Sequence, residues 1–243
     1  MENNYLKGIT GMENNNENNN ANNNEFSVDT EQLKSETSAT VQETREAIKN
    51  LDVKKEAAAT QGFMKNFFKD PVTHVKAAPD ASHLFGMAVF LNLVWIVASV
   101  IPAIVNAIRW GRWGGNLLEQ LWSIISSAIA PTLGVIVLAL LIMAFNKNNK
   151  KSLTALIATV TIAYIPSIIT SVLALITLLT AQASRLISPL SSFAYVISIV
   201  LIFSATKAIF QENEDNRFFM TFVKIFGIYF IVRFGLSFLG IWI

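Results

Sequence analysis

Long uncharged apolar runs alternate with short polar segments over the last two thirds of the chain. The longest run, residues 152–183, contains no charged side chain. A lipid-spanning helix needs about 20 apolar residues, whereas this run would form a helix of ~48 Å against a hydrocarbon core of ~30 Å. We therefore expect this helix to tilt or bend, and Pro166 is the predicted position of the bend.

Four further runs meet the same length requirement. They cover residues 84–108, 121–145, 190–210 and 218–243. The predicted fold class is all-α: a polytopic membrane helix bundle with five transmembrane helices after a mostly disordered or helical N-terminal cytoplasmic arm. The predicted domains are an Asn-rich tail and charged helix over 1–62, an interfacial amphipathic segment over 63–79, and the transmembrane domain over 84–243.

The N-terminal arm divides into two parts by composition. Residues 12–25 are almost all Asn and Glu, which cannot bury enough apolar surface to offset chain entropy, so this tail is predicted to be disordered. Residues 29–59 have no Gly or Pro and carry oppositely charged pairs at helical spacing, which favours a solvated helix. A short helix that binds a partner is the alternative. Neither interpretation gives residues 1–60 a part in stabilising the membrane domain.

The segment that precedes the first apolar run is amphipathic. Phe67 and Phe68 lie on one side of the predicted helix, and Lys65 and Lys69 lie on the other. This pattern predicts an interfacial helix with its lysines at lipid headgroups and its rings at the acyl boundary.

The charges predict the orientation of the bundle. The chain is 52% hydrophobic and 15% charged; residues 1–60 carry net −5 and the remainder net +7. Eight bases lie on one side of the predicted membrane and three on the other. The first set is Lys65, Lys69, Lys76, Lys147, Lys150, Lys151, Lys207 and Arg217, and the second is Arg109, Arg112 and Arg185. The positive-inside rule then predicts a multi-pass protein of the cell membrane, or of an endomembrane in a eukaryote, with its N-terminus cytoplasmic and its C-terminus outside.

Several kinds of chemistry have no residues to support them. The chain contains no cysteine, no Asp, Glu or His lies within an apolar run, and His74 and His83 stand without a ligand cluster. An intramembrane enzyme needs a nucleophile, paired carboxylates or a metal site. We therefore predict no enzymatic activity, catalytic residue, metal site or cofactor. The bases are interspersed between apolar runs, so no nucleic-acid partner is expected either.

The prolines, small residues and asparagines within the spans are interpreted as structural residues. Pro102, Pro131 and Pro166 predict packing kinks, with a gating hinge as the alternative. Small residues at steps of three and four in the third span predict a packing face. Its members are Ala163, Ser167, Thr170, Ala174, Thr177 and Ala181. Asn92 and Asn106 are expected to form buried hydrogen bonds in the same way.

Lys224 and Arg233 are the charges within the spans proper, and they lie on opposite helix faces. Lys224 is close enough to the span's beginning to snorkel to headgroups. An Arg at the bilayer centre costs at least ~2.5 kcal/mol, so Arg233 is predicted to face the bundle, with a partner or a wet cavity. Glu119 and the backbone carbonyls freed by Pro102 or Pro131 are the expected partners. Arg233 is the first candidate functional residue; the alternative is that its side chain snorkels outward to the headgroups and has no functional role.

The whole pattern resembles the Yip family, the Ypt/Rab-interacting membrane proteins, in its bacterial form. The resemblance runs from residue 63 to 243 and includes the segment FFKDPV, the charged connection TKAIFQENEDNRFF, and AYIPSII in the third of five spans, which adds Tyr164 and Pro166 as candidate functional residues. It implies a membrane scaffold or trafficking-type adaptor without catalytic activity; the alternative is a small-molecule or ion transporter, or a permease component. The expected partners are the lipid bilayer, one or more proteins of unknown identity, and a second copy in a homo-oligomer.

Overall fold

The computed structural model describes residues 30–81, 83–111, 116–146, 151–180, 183–211 and 215–241, and these are helical with no strand among them. The helices are α1 (Thr30–Lys49), α2 (Val53–Phe67), α3 (Pro71–Ala77), α4 (Leu84–Gly111), α5 (Leu117–Phe145), α6 (Leu153–Ala163), α7 (Ile165–Ala174), α8 (Ala183–Phe210) and α9 (Asp215–Phe238). The predicted all-α class is confirmed. The predicted disordered tail and the flanking residues Arg112, Lys147 and Lys150 lie outside the described residues.

The described chain has four to five segments that are long and apolar enough to cross a membrane. Helices α4, α5, α8 and α9 each qualify alone, and α6 with α7 and the 3₁₀ turn after it qualifies as a pair bent by 54°. At ~1.5 Å per residue, arms of these lengths joined at this angle advance ~33 Å, which matches a hydrocarbon core of ~30 Å. The pair is therefore long enough to serve as one broken span.

The bend lies where the sequence predicts it. Pro166 is in the first turn of α7 and has no N–H to donate back into α6. Tyr164 ends α6 with φ −83° and ψ 1°, and its N–H donates to Val160 O at 3.1 Å. The new helix begins directly, since Ile168 N–H donates to Tyr164 O at 2.9 Å. The proline thus separates two short helices and leaves Tyr164 at the corner.

Contacts at the two ends of the bundle agree with alternating helix directions. At one end Lys151, before α6, forms a salt bridge with Asp80, before α4. At the opposite end Arg109, near the end of α4, donates to Leu178 O after α7 at 3.4 Å. The beginnings of α4 and α6 therefore lie at one end of the bundle, and the ends of α4 and α7 lie at the other. The bent pair α6–α7 thus runs parallel to α4, as an up-and-down bundle with α5 between them requires.

The solvated helix predicted over residues 29–59 is helical, as α1 and α2, and most of its described side chains are exposed, but part of it also packs on the bundle. Helix α1 contacts α4 and α6, and α2 contacts α4. The carboxylate of Glu36 accepts a hydrogen bond from Leu153 N–H at 3.3 Å, in the first turn of α6. Thr40 and Thr60 are buried. These contacts are not local in sequence, which is why the amphipathic pattern of the arm did not reveal them.

One of the predicted interfacial residues is in the protein core. Phe67 is 1% exposed and packs with Phe63 and His74, so its ring does not reach lipid as expected. Phe68 is 58% exposed, and Lys65 and Lys69 are also exposed. Helix α3 folds back against α8 and covers the Phe67 side of the segment. The amphipathic pattern was real, but part of its apolar face is covered by protein.

The two span asparagines have different environments. Asn92 is buried and its amide donates to Thr161 Oγ1 at 2.8 Å, which joins α4 to α6 as expected. Asn106 is exposed, so the prediction of a buried hydrogen bond there is wrong. It lies close to the end of α4, where headgroups and water can satisfy an amide.

Edge-on contacts between aromatic rings attach α9 to α8. Phe203 of α8 lies edge-on to Phe218 at 5.1 Å and to Phe222 at 4.9 Å, and Phe222 continues the column to Phe226 at 4.5 Å. Such pairs stabilise a helix contact beyond their buried area. They fix the rotation of α9 and thereby the direction in which Tyr229 and Arg233, one and two turns further on, face the bundle.

Candidate functional site

A cavity of about 250 Å³ lies inside the bundle, and every apolar segment contributes to its wall. It is lined by Trp95 and Ser99 of α4, Ser127, Ala130, Pro131, Gly134 and Val135 of α5, Tyr164 and Ser167 at the α6–α7 bend, Tyr195 of α8, and Tyr229 and Arg233 of α9. We call it the central cavity. A concave site at the convergence of all the helices is where bundle proteins build ligand sites.

Arg233 is the charged residue among those that line the central cavity. Its Nη1 donates to the Tyr195 hydroxyl at 3.0 Å, and its guanidinium carbon lies 5.6 Å from the centre of the same ring. The side chain is half-buried. A guanidinium has five N–H donors, so one hydroxyl leaves most of its donors for another ligand.

The structure refines the predicted environment of Arg233. Its recorded partner is the Tyr195 hydroxyl, not the expected Glu119, which lines a separate depression. Pro131 does lie in the wall of the central cavity. Because α9 ends at Phe238, Arg233 is ~7.5 Å from the helix end, and therefore shallower than expected for a helix that continued to residue 243. Lys224 is exposed, as its opposite helix face predicts.

Aromatic rings line the central cavity beside the guanidinium. Tyr164 and Tyr229 are 4% and 2% exposed, and the Tyr164 ring lies 5.3 Å from the Trp95 ring at a tilt of 42°. Tyr164 reaches this place because the helix breaks at Pro166, which does not itself line the cavity. The two candidate residues of the AYIPSII segment thus have different roles: Pro166 makes the bend, and Tyr164 lines the cavity at its corner.

Serine hydroxyls supply further polarity. Ser167 Oγ lies 3.0 Å from Ser198 Oγ and joins α7 to α8, in agreement with the predicted packing face. Ser127 Oγ donates to Ser123 O at 2.7 Å, so its proton is used by its own helix. The wall of the central cavity therefore combines hydroxyls and rings with small apolar residues of α5, and no carboxylate occurs among the described residues that line it.

The sequence interpretation missed Tyr195, Tyr229 and Trp95. A signal was present: three of the chain's four tyrosines lie inside apolar runs, although tyrosine favours the membrane interface. A phenolic hydroxyl buried in an apolar bundle needs a hydrogen-bond partner. Three such residues on three spans, together with one Arg, predict a common polar site. Their convergence itself depends on helix packing, which no single span encodes.

The central cavity has the parts to hold an oxyanion with an organic body. A guanidinium pairs with a carboxylate or phosphate through two parallel hydrogen bonds. The rings of Trp95 and Tyr164 offer an apolar surface for the remainder of such a molecule.

No group of three or more His, Cys, Asp or Glu residues suited to a metal ion occurs in the part of the chain that the structure describes.

Known proteins add no further guide to this site. No family model matches the chain, and no curated protein or solved structure matches it. The resemblance to the Yip family therefore stays a prediction, and function has to be argued from the central cavity.

Proposed function

We propose that this chain is a multi-pass membrane carrier, without catalytic activity, that binds small carboxylate or phosphate ligands in the central cavity. The observation that carries the proposal is the position of Arg233 in a wall to which all the spans contribute and which includes no acidic residue. Of the two functions that the sequence allows, the transporter or permease component is the one for which this geometry gives a reason.

The electrostatic argument concerns what neutralises Arg233. A charged side chain inside a membrane bundle is costly unless it is paired or hydrated. Tyr195 supplies a hydroxyl, and the described residues include no acid within salt-bridge distance of Arg233. A bound oxyanion would supply the missing negative charge. Its binding would then be favoured by the low dielectric of the site, where a charge-assisted pair is stronger than in water.

The proposed setting is the cell membrane, with the N-terminus and the arm in the cytoplasm and the C-terminus outside. The base count supports this orientation. In it, the central cavity lies nearer the outer face, because Arg233 is about one and a half turns from the end of α9.

Thermal unfolding of the purified protein in detergent tests the binding step. Inorganic phosphate and benzoate are the probes, with chloride at equal ionic strength as reference. A ligand at 100 times its Kd stabilises by ~2.7 kcal/mol, which raises Tm by about 5–10 °C in a chain of this size. We expect this shift in the native protein and its loss in Arg233→Gln. Lys224→Gln is the matched control, because it removes one positive charge from the exposed face of the same helix.

Two further measurements separate the sources of the oxyanion. If the ligand is a lipid headgroup, nanodiscs that contain phosphatidylglycerol will stabilise the native protein but not Arg233→Gln, relative to phosphatidylcholine alone. If the ligand is soluble, proteoliposomes will take up labelled benzoate or phosphate in an Arg233-dependent way. Stabilisation that is equal in native protein and Arg233→Gln would contradict the proposal.

A membrane scaffold of the Yip type is the second candidate. The observation that favours it is the docked arm, since α1 packs on the bundle and presents Glu43 and Glu46 to solvent. A scaffold would retain a co-purifying partner in Arg233→Gln and lose it when residues 1–51 are deleted. A carrier would lose flux in Arg233→Gln and retain flux when residues 1–51 are deleted.

A further inference from the structure

A second depression adjoins the central cavity along α5. It encloses about 290 Å³ and is lined by Glu119, Trp122, Ser123, Ser126, Ser127, Ala130 and Gly240. Ser127 and Ala130 line both spaces. The two spaces therefore share part of their wall at these residues, and we call the second one the α5 groove.

The α5 groove becomes less exposed along its length. Glu119 and Ser123 at its outer end are exposed, Ser127 one turn further is half-buried, and Ala130 is buried. These residues share one helix face because they are separated by steps of three and four. The groove thus leads from the solvent-exposed beginning of α5 to the wall of the cavity that holds Arg233.

The end of α9 crosses the α5 groove and is held there by one side chain. Trp122 Nε1 donates to Leu239 O at 2.7 Å. The chain turns at Gly240 with φ +75°, a conformation that favours glycine, and a Cβ at this position would lie 2.7 Å from Trp122 Nε1. The indole and the turn therefore fit only with glycine at 240, and we call their contact the Trp122 latch.

We propose that the α5 groove is the route by which an oxyanion reaches Arg233 from the side where α9 ends, and that the Trp122 latch gates it. This inference rests on the proposed function. The positive charge of Arg233, at the inner end of this route, attracts an anion along the groove. Glu119 is at the exposed rim, where water and salt screen its effect on an approaching anion.

Cysteine accessibility tests the route, and the natural chain has no cysteine to interfere. Ser127→Cys places a thiol in the groove. Ile129→Cys, two residues away, is the matched control, because Ile129 is on the outer surface of the same helix and 44% exposed. The probe is the water-soluble anion 2-sulfonatoethyl methanethiosulfonate, added to vesicles on the side where α9 ends. Only a hydrated thiolate reacts, so we expect Ser127→Cys to be modified at least about tenfold faster than Ile129→Cys.

Two additions test the latch and the charge. Trp122→Phe removes the hydrogen bond while keeping a ring, and it should raise the modification rate at Ser127→Cys severalfold. Gly240→Ala displaces the latch from the other side and should act in the same direction, which guards against a folding defect in either variant. Arg233→Gln should remove the preference for the anionic probe over its cationic trimethylammonium analogue.

The outcomes separate the route from the proposed function. Equal rates at Ser127→Cys and Ile129→Cys, or modification only from the opposite side, would overturn the route even if phosphate or benzoate binds. Fast modification of Ser127→Cys without any Arg233-dependent ligand binding would keep the route as a water path and reject the carrier. Unchanged rates in both Trp122→Phe and Gly240→Ala would remove the gate from the proposal.

Discussion

The central cavity and a second cavity, at the N-terminal arm, differ in charge and in what surrounds them. One, of about 650 Å³, lies where the arm meets the beginnings of α4 and α6, and its charged lining residues are Glu43, Glu46, Glu56 and Asp80. We call it the arm cavity. The central cavity is smaller, and Arg233 is its charged residue. The larger and more highly charged of the two is not the better candidate for a site.

The two cavities differ in the free-energy cost of keeping their side chains charged. Glu43, Glu46 and Asp80 are exposed, so water solvates their carboxylates and salt screens them. Acidic residues there need no ligand. Arg233 is half-buried among rings and hydroxyls inside an apolar bundle, where an uncompensated charge is costly. A single charge in that setting therefore says more about function than the three exposed carboxylates of the arm cavity.

The largest expected effect compares one buried and one partly exposed wall residue. Tyr229 of the central cavity is 2% exposed, and Tyr229→Ala should lower the free energy of unfolding by about 3–5 kcal/mol, as truncation of a buried aromatic ring does. Tyr229→Phe retains the ring and should cost no more than ~1.5 kcal/mol. Leu51→Ala in the arm cavity should cost less than Tyr229→Ala, because Leu51 is partly exposed. Reversible unfolding in detergent measures all three. Equal losses for Leu51→Ala and Tyr229→Ala would remove the contrast between the cavities.

A smaller effect is expected where the arm meets the bundle. Glu36 accepts the hydrogen bond of Leu153 N–H at the beginning of α6, where a carboxylate also complements the helix dipole. Glu36→Ala should lower the unfolding free energy by about 1 kcal/mol, or Tm by about 2–4 °C. Glu43→Ala is the matched control on the same helix, since Glu43 is exposed in the arm cavity. Equal Tm values for the native protein and both variants would mean that the docked arm adds no stability.

The spans and the bend could be predicted because they depend on local sequence. A charge-free run of about 20 residues has one ordinary structural solution, and a proline inside it removes a backbone donor at a known position. The 54° bend between α6 and α7 at Pro166 follows from these two facts. Helix ends were less predictable: α9 stops at Phe238, although the apolar run continues to residue 243.

The docked arm and the central cavity depend on contacts between distant residues. Glu36 and Leu153 are 117 residues apart, and Arg233 and Tyr195 are 38 apart on different helices. The free-energy cost of placing an Arg in the membrane predicts that Arg233 needs a partner. That this partner is Tyr195 depends on how α8 packs against α9. Phe67 shows the same limit, because the amphipathic pattern cannot distinguish lipid from a protein surface as the cover of an apolar ring.

The smallest expected effect concerns a carboxylate that water already solvates. Asp70 caps α3 by accepting from Thr73 N–H at 3.1 Å, and its hydrogen bonds to Thr73 lower its pKa below the usual value of 3.8. A folded-state pKa below the unfolded one gives stability that is complete above the unfolded pKa and is lost as the pH falls through the folded pKa. The Tm difference between the native protein and Asp70→Asn should therefore be constant near neutral pH and should move in favour of Asp70→Asn below about pH 4. A difference that stays constant down to pH 3 would show that the cap does not depend on the ionised carboxylate.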